Sequence, residues 1–71
     1  MNYHSVRSST LEAIAYDELS STLGVRFRND TEYEYLQVPE SIYRGILAAP
    51  SAGKYFDANV KKAGYRFRQV R

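Results

Sequence analysis

Six side chains in the last third of the chain have the chemistry to hold a polyanion. They are Lys54, Lys61, Lys62, Tyr65, Arg66 and Arg68. Lysine and arginine neutralise phosphates, and a tyrosine ring can stack on an unpaired base. The alternation of Tyr65 and Phe67 with Arg66 and Arg68 predicts a strip that contacts both phosphates and bases. A packed edge strand with its arginines outside fits the same alternation.

The run 51–54, Ser-Ala-Gly-Lys, is similar to the end of a phosphate-binding loop. The complete nucleotide-binding pattern needs glycine where Ala48 stands and serine or threonine where Tyr55 stands, so a P-loop nucleotidase is excluded. A helix start with a glycine and a lysine can still hold one phosphate. An ordinary helix N-cap followed by an exposed lysine explains the same four residues, and the local pattern favours it.

Residues for catalysis or metal binding are scarce. The chain has one histidine, His4, and no cysteine, and no acidic residue that could orient its imidazole lies beside His4 in sequence. Glu32 and Glu34 fall on one side of an extended chain, but nearby arginines predict that both are neutralised. No spacing matches a zinc or calcium site. We therefore predict no catalytic residue, no metal and no cofactor.

Composition and charge set the class of protein. The 71 residues allow one domain with one small core. Absent cysteines and short apolar runs predict a cytoplasmic protein without a membrane segment. Residues 1–51 carry a net charge of −3 and residues 52–71 carry +5. This asymmetry indicates either a surface that faces a polyanion or a solubilising basic tail.

Three segments, 11–16, 23–28 and 32–36, have the pattern of strands. In the second hairpin, a loop over 29–31 would place Arg28 opposite Glu32 and Arg26 opposite Glu34. Every cross-strand pair would then join either two opposite charges or two apolar side chains. This register predicts that Tyr33 and Tyr35 lie on the core side, whereas a base-stacking role would require them exposed.

Two helices follow the strands. Pro39 and Glu40 suit a helix start, and a helix that begins there must end before Pro50. Ser51 is the expected N-cap of a second helix over about 52–62, and Gly64 the expected stop. Residues 65–71 form either a fourth strand or an extended tail. The expected fold is therefore α+β, with a three-stranded antiparallel sheet, two helices and this ambiguous end.

The order of several short motifs resembles the KTSC domain family over about residues 8–70. The motifs are 8–11 (Ser-Ser-Thr-Leu), Tyr16, Phe27, 33–35 (Tyr-Glu-Tyr), Val38, Pro39, Tyr43, 51–56 (Ser-Ala-Gly-Lys-Tyr-Phe) and Val60. The family is named after an extension of some lysyl-tRNA synthetases, so the resemblance implies RNA binding and implies no catalytic residue. Asp57 departs from the asparagine expected there, and an acid at that point repels a phosphate.

Together these observations predict a flexible segment over residues 1–8 and a single KTSC-like domain over 9–70. The expected function is binding of RNA or another nucleic acid through the basic C-terminal third, without catalysis. Two other functions fit the sequence. One is a protein–protein interaction module, and the other is an oligomer that binds a small nucleotide. The sequence does not determine the oligomeric state.

Overall fold

A five-stranded antiparallel sheet, with its strands in chain order, organises the fold. The structure is a computed structural model and describes residues 1–71. The strands are β1 (His4–Ser5), β2 (Leu11–Asp17), β3 (Thr22–Phe27), β4 (Glu32–Tyr35) and β5 (Phe67–Gln69). The predicted α+β class is confirmed, and residues 67–69 are a strand rather than a tail. β1 was not predicted, because two residues are too few to display a pattern.

Two helices connect β4 to β5. Helix α1 spans Glu40–Ala48, and helix α2 spans Ala52–Asn59. Ser51 caps α2 as predicted, since its hydroxyl accepts a hydrogen bond from the Lys54 amide at 3.3 Å. A separate 3-10 turn over Lys61–Ala63 continues the path beyond α2. It ends at Gly64, whose φ of 85° is in the left-handed region that glycine adopts most readily.

The β3–β4 hairpin corrects the predicted register by two residues. Arg26 lies opposite Glu32, where Glu34 was expected, and Val25 lies opposite Tyr33, where Tyr35 was expected. The loop has the predicted length but begins one residue earlier, because the Phe27 amide donates to the Thr31 carbonyl at 2.9 Å. Asp30 adopts a φ of 69°, which is typical of the last residue in a three-residue hairpin loop.

One face of the sheet is covered by the helices and contains the core. Its buried cluster comprises Leu11, Ile14, Leu23, Val25, Tyr35, Val38, Ile46, Ala52, Phe56 and Val60. Tyr35 is 6% exposed and its ring meets that of Phe56 edge to face at 5.6 Å, which joins β4 to α2. A shift of two residues keeps every side chain on its face, so the core position of Tyr35 was predicted correctly despite the wrong register.

The opposite face of the sheet, called here the outer face, is crossed by the start of the chain. Tyr3 lies so close to Gly24 that a Cβ atom on Gly24 would come within 2.6 Å of the Tyr3 hydroxyl. The Arg26 guanidinium stacks on the Tyr3 ring, 4.4 Å from its centre. The flexibility expected for residues 1–8 stays a prediction, but His4 and Ser5 pair with β2 in the structure. No helix is long and apolar enough to span a membrane.

Candidate nucleic-acid interface

A cleft of about 590 Å³ lies between the start of α2 and the segment that leads into β2. It is lined by Ser8, Ser9, Thr10, Phe27, Ser51, Gly53, Lys54, Phe56, Asp57 and Lys61. Most of these side chains are hydroxylic or charged, and the two phenylalanines are its only apolar walls. Such a lining suits a ligand with several anionic oxygen atoms.

Hydrogen bonds hold the cleft wall formed by residues 8–10 in place. The Ser8 hydroxyl accepts hydrogen bonds from the amides of Thr10 and Leu11, both at 3.1 Å. The Arg28 Nε atom donates to the Ser8 carbonyl at 2.7 Å, which ties this segment to the end of β3. Gly53 allows α2 to approach, because a Cβ atom there would lie 2.9 Å from the Ser8 hydroxyl. The sequence motifs around residues 8 and 53 therefore meet in space.

Lys54 and Lys61 are the two candidate cations that the cleft brings together. Lys54 is in the first turn of α2, Lys61 begins the 3-10 turn, and both are exposed. Neither forms an ion pair, although Asp57 lies in the same cleft. Asp57 instead pairs with Lys62, whose Nζ atom is 3.2 Å from its carboxylate. Of the three lysines predicted from the sequence, Lys62 is thus the one already neutralised.

The arginines and the tyrosine of the predicted set lie elsewhere. Arg68 is opposite Glu34 on the outer face and binds its carboxylate at 2.7 Å. Arg66 is exposed and forms no ion pair, and its carbonyl accepts a hydrogen bond from the Leu36 amide at 2.8 Å. Tyr65 is half-buried against the core. The six candidate residues therefore do not form one patch.

An aromatic row, Phe27–Tyr33–Phe67, extends from the cleft across the helix-covered side of the sheet. Phe27 is a wall of the cleft, and its ring centre is 5.6 Å from that of Tyr33. The Tyr33 ring lies 5.8 Å from Phe67, which is 59% exposed. α2 covers Tyr35 and leaves the outer end of this row open. Phe67 therefore presents more ring surface than the predicted stacking residue, Tyr65.

Paired charges dominate the outer face. Glu32 accepts a hydrogen bond from Arg26 at 2.8 Å, and Arg71 approaches the same carboxylate at 3.7 Å. Burial raises the pKa of the Tyr3 hydroxyl, and the negative charge of Glu32 raises it further. The outer face thus uses its arginines to neutralise its own acids, which leaves the cleft side with the unpaired lysines.

A second, shallow hollow contains the only histidine. His4 lines it together with Tyr16, Asp17 and Tyr43. The Tyr16 hydroxyl donates to the Val38 carbonyl at 2.5 Å, and no hydrogen bond joins the His4 side chain to another side chain of the hollow. No group of three or more histidine, aspartate or glutamate side chains is arranged to hold a metal ion.

The cleft walls, the Tyr33–Tyr35 pair and the capped start of α2 all lie within the part of the chain that a family model matches. The model of the KTSC domain matches residues 7–65. The chain belongs to the KTSC domain family. The resemblance predicted from the sequence is confirmed, and the cleft of this KTSC domain is built from the two ends of the matched region.

Several proteins are similar to this KTSC domain. A protein of Tsukamurella paurometabola is 38% identical over 65 residues, which cover 92% of each chain. A lysine–tRNA ligase of Nostoc punctiforme is 31% identical over 62 residues, which cover 87% of this chain and 11% of the ligase. The crystal structure of a KTSC domain protein from Yersinia pestis has a TM-score of 0.89 and 33% identity, with 99% of this chain and 97% of that chain covered.

Sequence reasoning missed the role of the Ser8–Thr10 segment as a cleft wall. Those residues are more than forty positions from Gly53, so only the fold brings them together. The small residues themselves were a usable signal, because Ser8, Thr10 and Gly53 lie in motifs that the family resemblance singles out. The sequence showed that Phe67 alternates with arginines. Its exposure could not be predicted, because it depends on how far α2 covers the sheet.

Proposed function

We propose that this KTSC domain binds single-stranded nucleic acid, and RNA in the first place, with a phosphate in the cleft at Lys54 and Lys61. The role is binding without catalysis, and the expected location is the cytoplasm. Arg66 is a third cation without an acidic partner, whereas Lys62 and Arg68 are held in ion pairs and Tyr65 is half-buried against the core.

One observation carries this proposal. Lys54 and Lys61 line the same cleft as four hydroxyl-bearing residues, and neither lysine has an acidic partner. Lysine ammonium groups and hydroxyls are common ligands of phosphate oxygens. A surface that only needed solubility would not require two unpaired lysines at one concave site.

The similarity to a lysine–tRNA ligase adds independent support. The matching part is only 11% of that ligase, so the ligase activity itself does not extend to this chain. A small domain attached to an enzyme that acts on tRNA is well suited to hold RNA. This relation favours RNA over other polyanions.

The test is a fluorescence-anisotropy titration of a labelled single-stranded RNA at several salt concentrations. In the Lys54→Gln, Lys61→Gln double variant we expect weaker binding to every sequence. The plot of log affinity against log salt should become shallower by about 1 to 1.5, because two phosphate contacts are lost.

A matched control removes the same charge outside the cleft. Arg7→Gln with Arg44→Gln changes two exposed arginines that do not line it. This control should bind RNA nearly as well as the wild type. If both double variants lose equal affinity, only net charge matters and the cleft is not the site. If the wild-type protein binds no RNA at low salt, the proposed function is wrong.

Two other functions give distinct results in the same assay. A nucleotide-binding oligomer would be saturated by mononucleotides, which should then compete with the RNA. A protein partner is favoured by Leu19, which is 99% exposed at the tip of the β2–β3 hairpin. Leu19→Ser would abolish such an interaction and leave RNA binding unchanged.

A further inference from the structure

We propose that the aromatic row Phe27–Tyr33–Phe67 is a platform on which unpaired bases stack while the strand's backbone reaches the cleft. The inference rests on the proposed function and deepens it. It makes the ligand a strand with free bases, and it assigns the main stacking role to Phe67.

The row starts at the cleft and ends in solvent. Phe27 forms part of the cleft wall, and Tyr33 is the link between Phe27 and Phe67, at 5.6 and 5.8 Å between ring centres. A backbone held at Lys54 and Lys61 therefore lies beside a row of tilted rings, with angles of 84° and 57° between neighbouring planes, in which Phe67 is the exposed face. Successive bases can stack on such a surface whatever their sequence, because every base has a π face.

The Phe67 ring is held firmly from one side. It contacts Tyr33 at 5.8 Å and Tyr35 at 5.3 Å, and Tyr35 is itself fixed in the core. The Tyr33 hydroxyl meets the side-chain oxygen of Gln69 at 3.3 Å, which restrains the middle ring of the row. A ring that is fixed before binding loses little conformational entropy when a base stacks on it.

Charge decides between a nucleic acid and a second copy of this chain. Phe67 follows Arg66, which forms no ion pair, whereas Arg68 is paired with Glu34 on the outer face. The last third of the chain carries a net charge of +5. Two copies that met through this strand would bring like charges together, whereas a polyanion meets the opposite charge. The exposed ring and the net positive charge of the last third thus favour a strand of nucleic acid.

The experiment compares two labelled strands with the same number of phosphates, an eight-residue oligoadenylate and an abasic strand of equal length. The wild type should bind the oligoadenylate more tightly by about 5- to 150-fold per stacked base. Phe67→Ala should lower this ratio by the factor of one stacked base, about 5- to 150-fold, and leave the affinity for the abasic strand unchanged. Val70→Ala is the control, because Val70 is a similarly exposed apolar residue near β5.

A second variant keeps the test decisive if Phe67→Ala disturbs the fold. The chain has no tryptophan, so Phe67→Trp provides a single emission signal at the platform. Its emission should be quenched by oligoadenylate and unaffected by the abasic strand.

An unquenched tryptophan, or a wild type that binds both strands equally, overturns the platform and leaves phosphate binding intact. If neither strand binds, the proposed function falls and the platform with it. A concentration-dependent dimer that Phe67→Ala abolishes, together with equal binding of both strands, would assign the row to self-association.

Discussion

Asp57 places a carboxylate inside a cleft whose other charged groups are lysines. It pairs with Lys62 at 3.2 Å and is only half-buried. The Asp57 carboxylate therefore brings one negative charge into the cleft, where it repels a phosphate. It also holds Lys62 in an ion pair, so that this lysine is not free to bind the phosphate. Because both groups are partly hydrated, their mutual attraction is weak, and either can respond to a bound phosphate.

We expect Asp57→Asn to strengthen RNA binding by about two- to five-fold, the size of an exposed charge interaction. The substitution removes the repulsion and frees Lys62. The control is Glu40→Gln, which breaks the comparable Glu40–Arg44 pair on α1, outside the cleft. Anisotropy titrations of the three proteins at one salt concentration give the comparison. Equal gains in both variants, or no gain in Asp57→Asn, would contradict a phosphate site at the cleft.

At the scale of elements, the contact between α1 and α2 depends on one missing side chain. A Cβ atom on Gly45 would overlap the Tyr55 ring, so the ring can occupy this place between the helices only because residue 45 is glycine. Glycine in a helix otherwise costs about 1 kcal/mol relative to alanine. The closer packing of the helices offsets that cost.

Gly45→Ala should therefore lower the free energy of unfolding by about 1–3 kcal/mol, the usual effect of overpacking. In a Tyr55→Ala background the overlap is absent, and the same change should raise the free energy of unfolding by up to about 1 kcal/mol. Urea denaturation of the four proteins measures this reversal of sign. An equal effect in both backgrounds would mean that Tyr55 does not limit the approach of the helices.

The elements differ in how far their residues predict them. Ser51 and Gly64 predicted the limits of the second helical region, because capping and left-handed geometry depend on single residue types. The β3–β4 register was wrong, because alternation determines which face a side chain takes and is insensitive to a shift of two residues. The deciding feature, the left-handed conformation of Asp30, is a property of the folded loop. The cleft was only half predictable, since its Ser8–Thr10 wall comes from a distant part of the sequence.

At the scale of the whole molecule, folding redistributes the charge asymmetry of the sequence. Lys62, Arg68 and Arg71, half of the basic residues in the last third, pair with Asp57, Glu34 and Glu32. Lys54, Lys61 and Arg66 pair with none. The basic third of the sequence therefore provides three free cations.

This count sets the salt dependence of RNA binding. Three phosphate contacts on a single strand predict a log–log slope of about −2 for the wild type. The slope comes from anisotropy titrations over a range of monovalent salt concentrations. A slope of −3 or steeper would contradict this count and would indicate that the Lys62 or Arg68 ion pairs open on binding.

The chain-order arrangement of the sheet leaves its first and last strands without an outer neighbour. An unpaired strand edge is a template on which another molecule can add a strand, and repetition of that event produces fibrils. β1 offers only two residues for such growth, and β5 offers three, between Arg66 and Arg71 with Arg68 at its centre. A β5 strand added to β5 from an identical molecule would set arginine against arginine. The same residues that give the last third its positive charge therefore also protect the protein from assembling into a continuous intermolecular sheet.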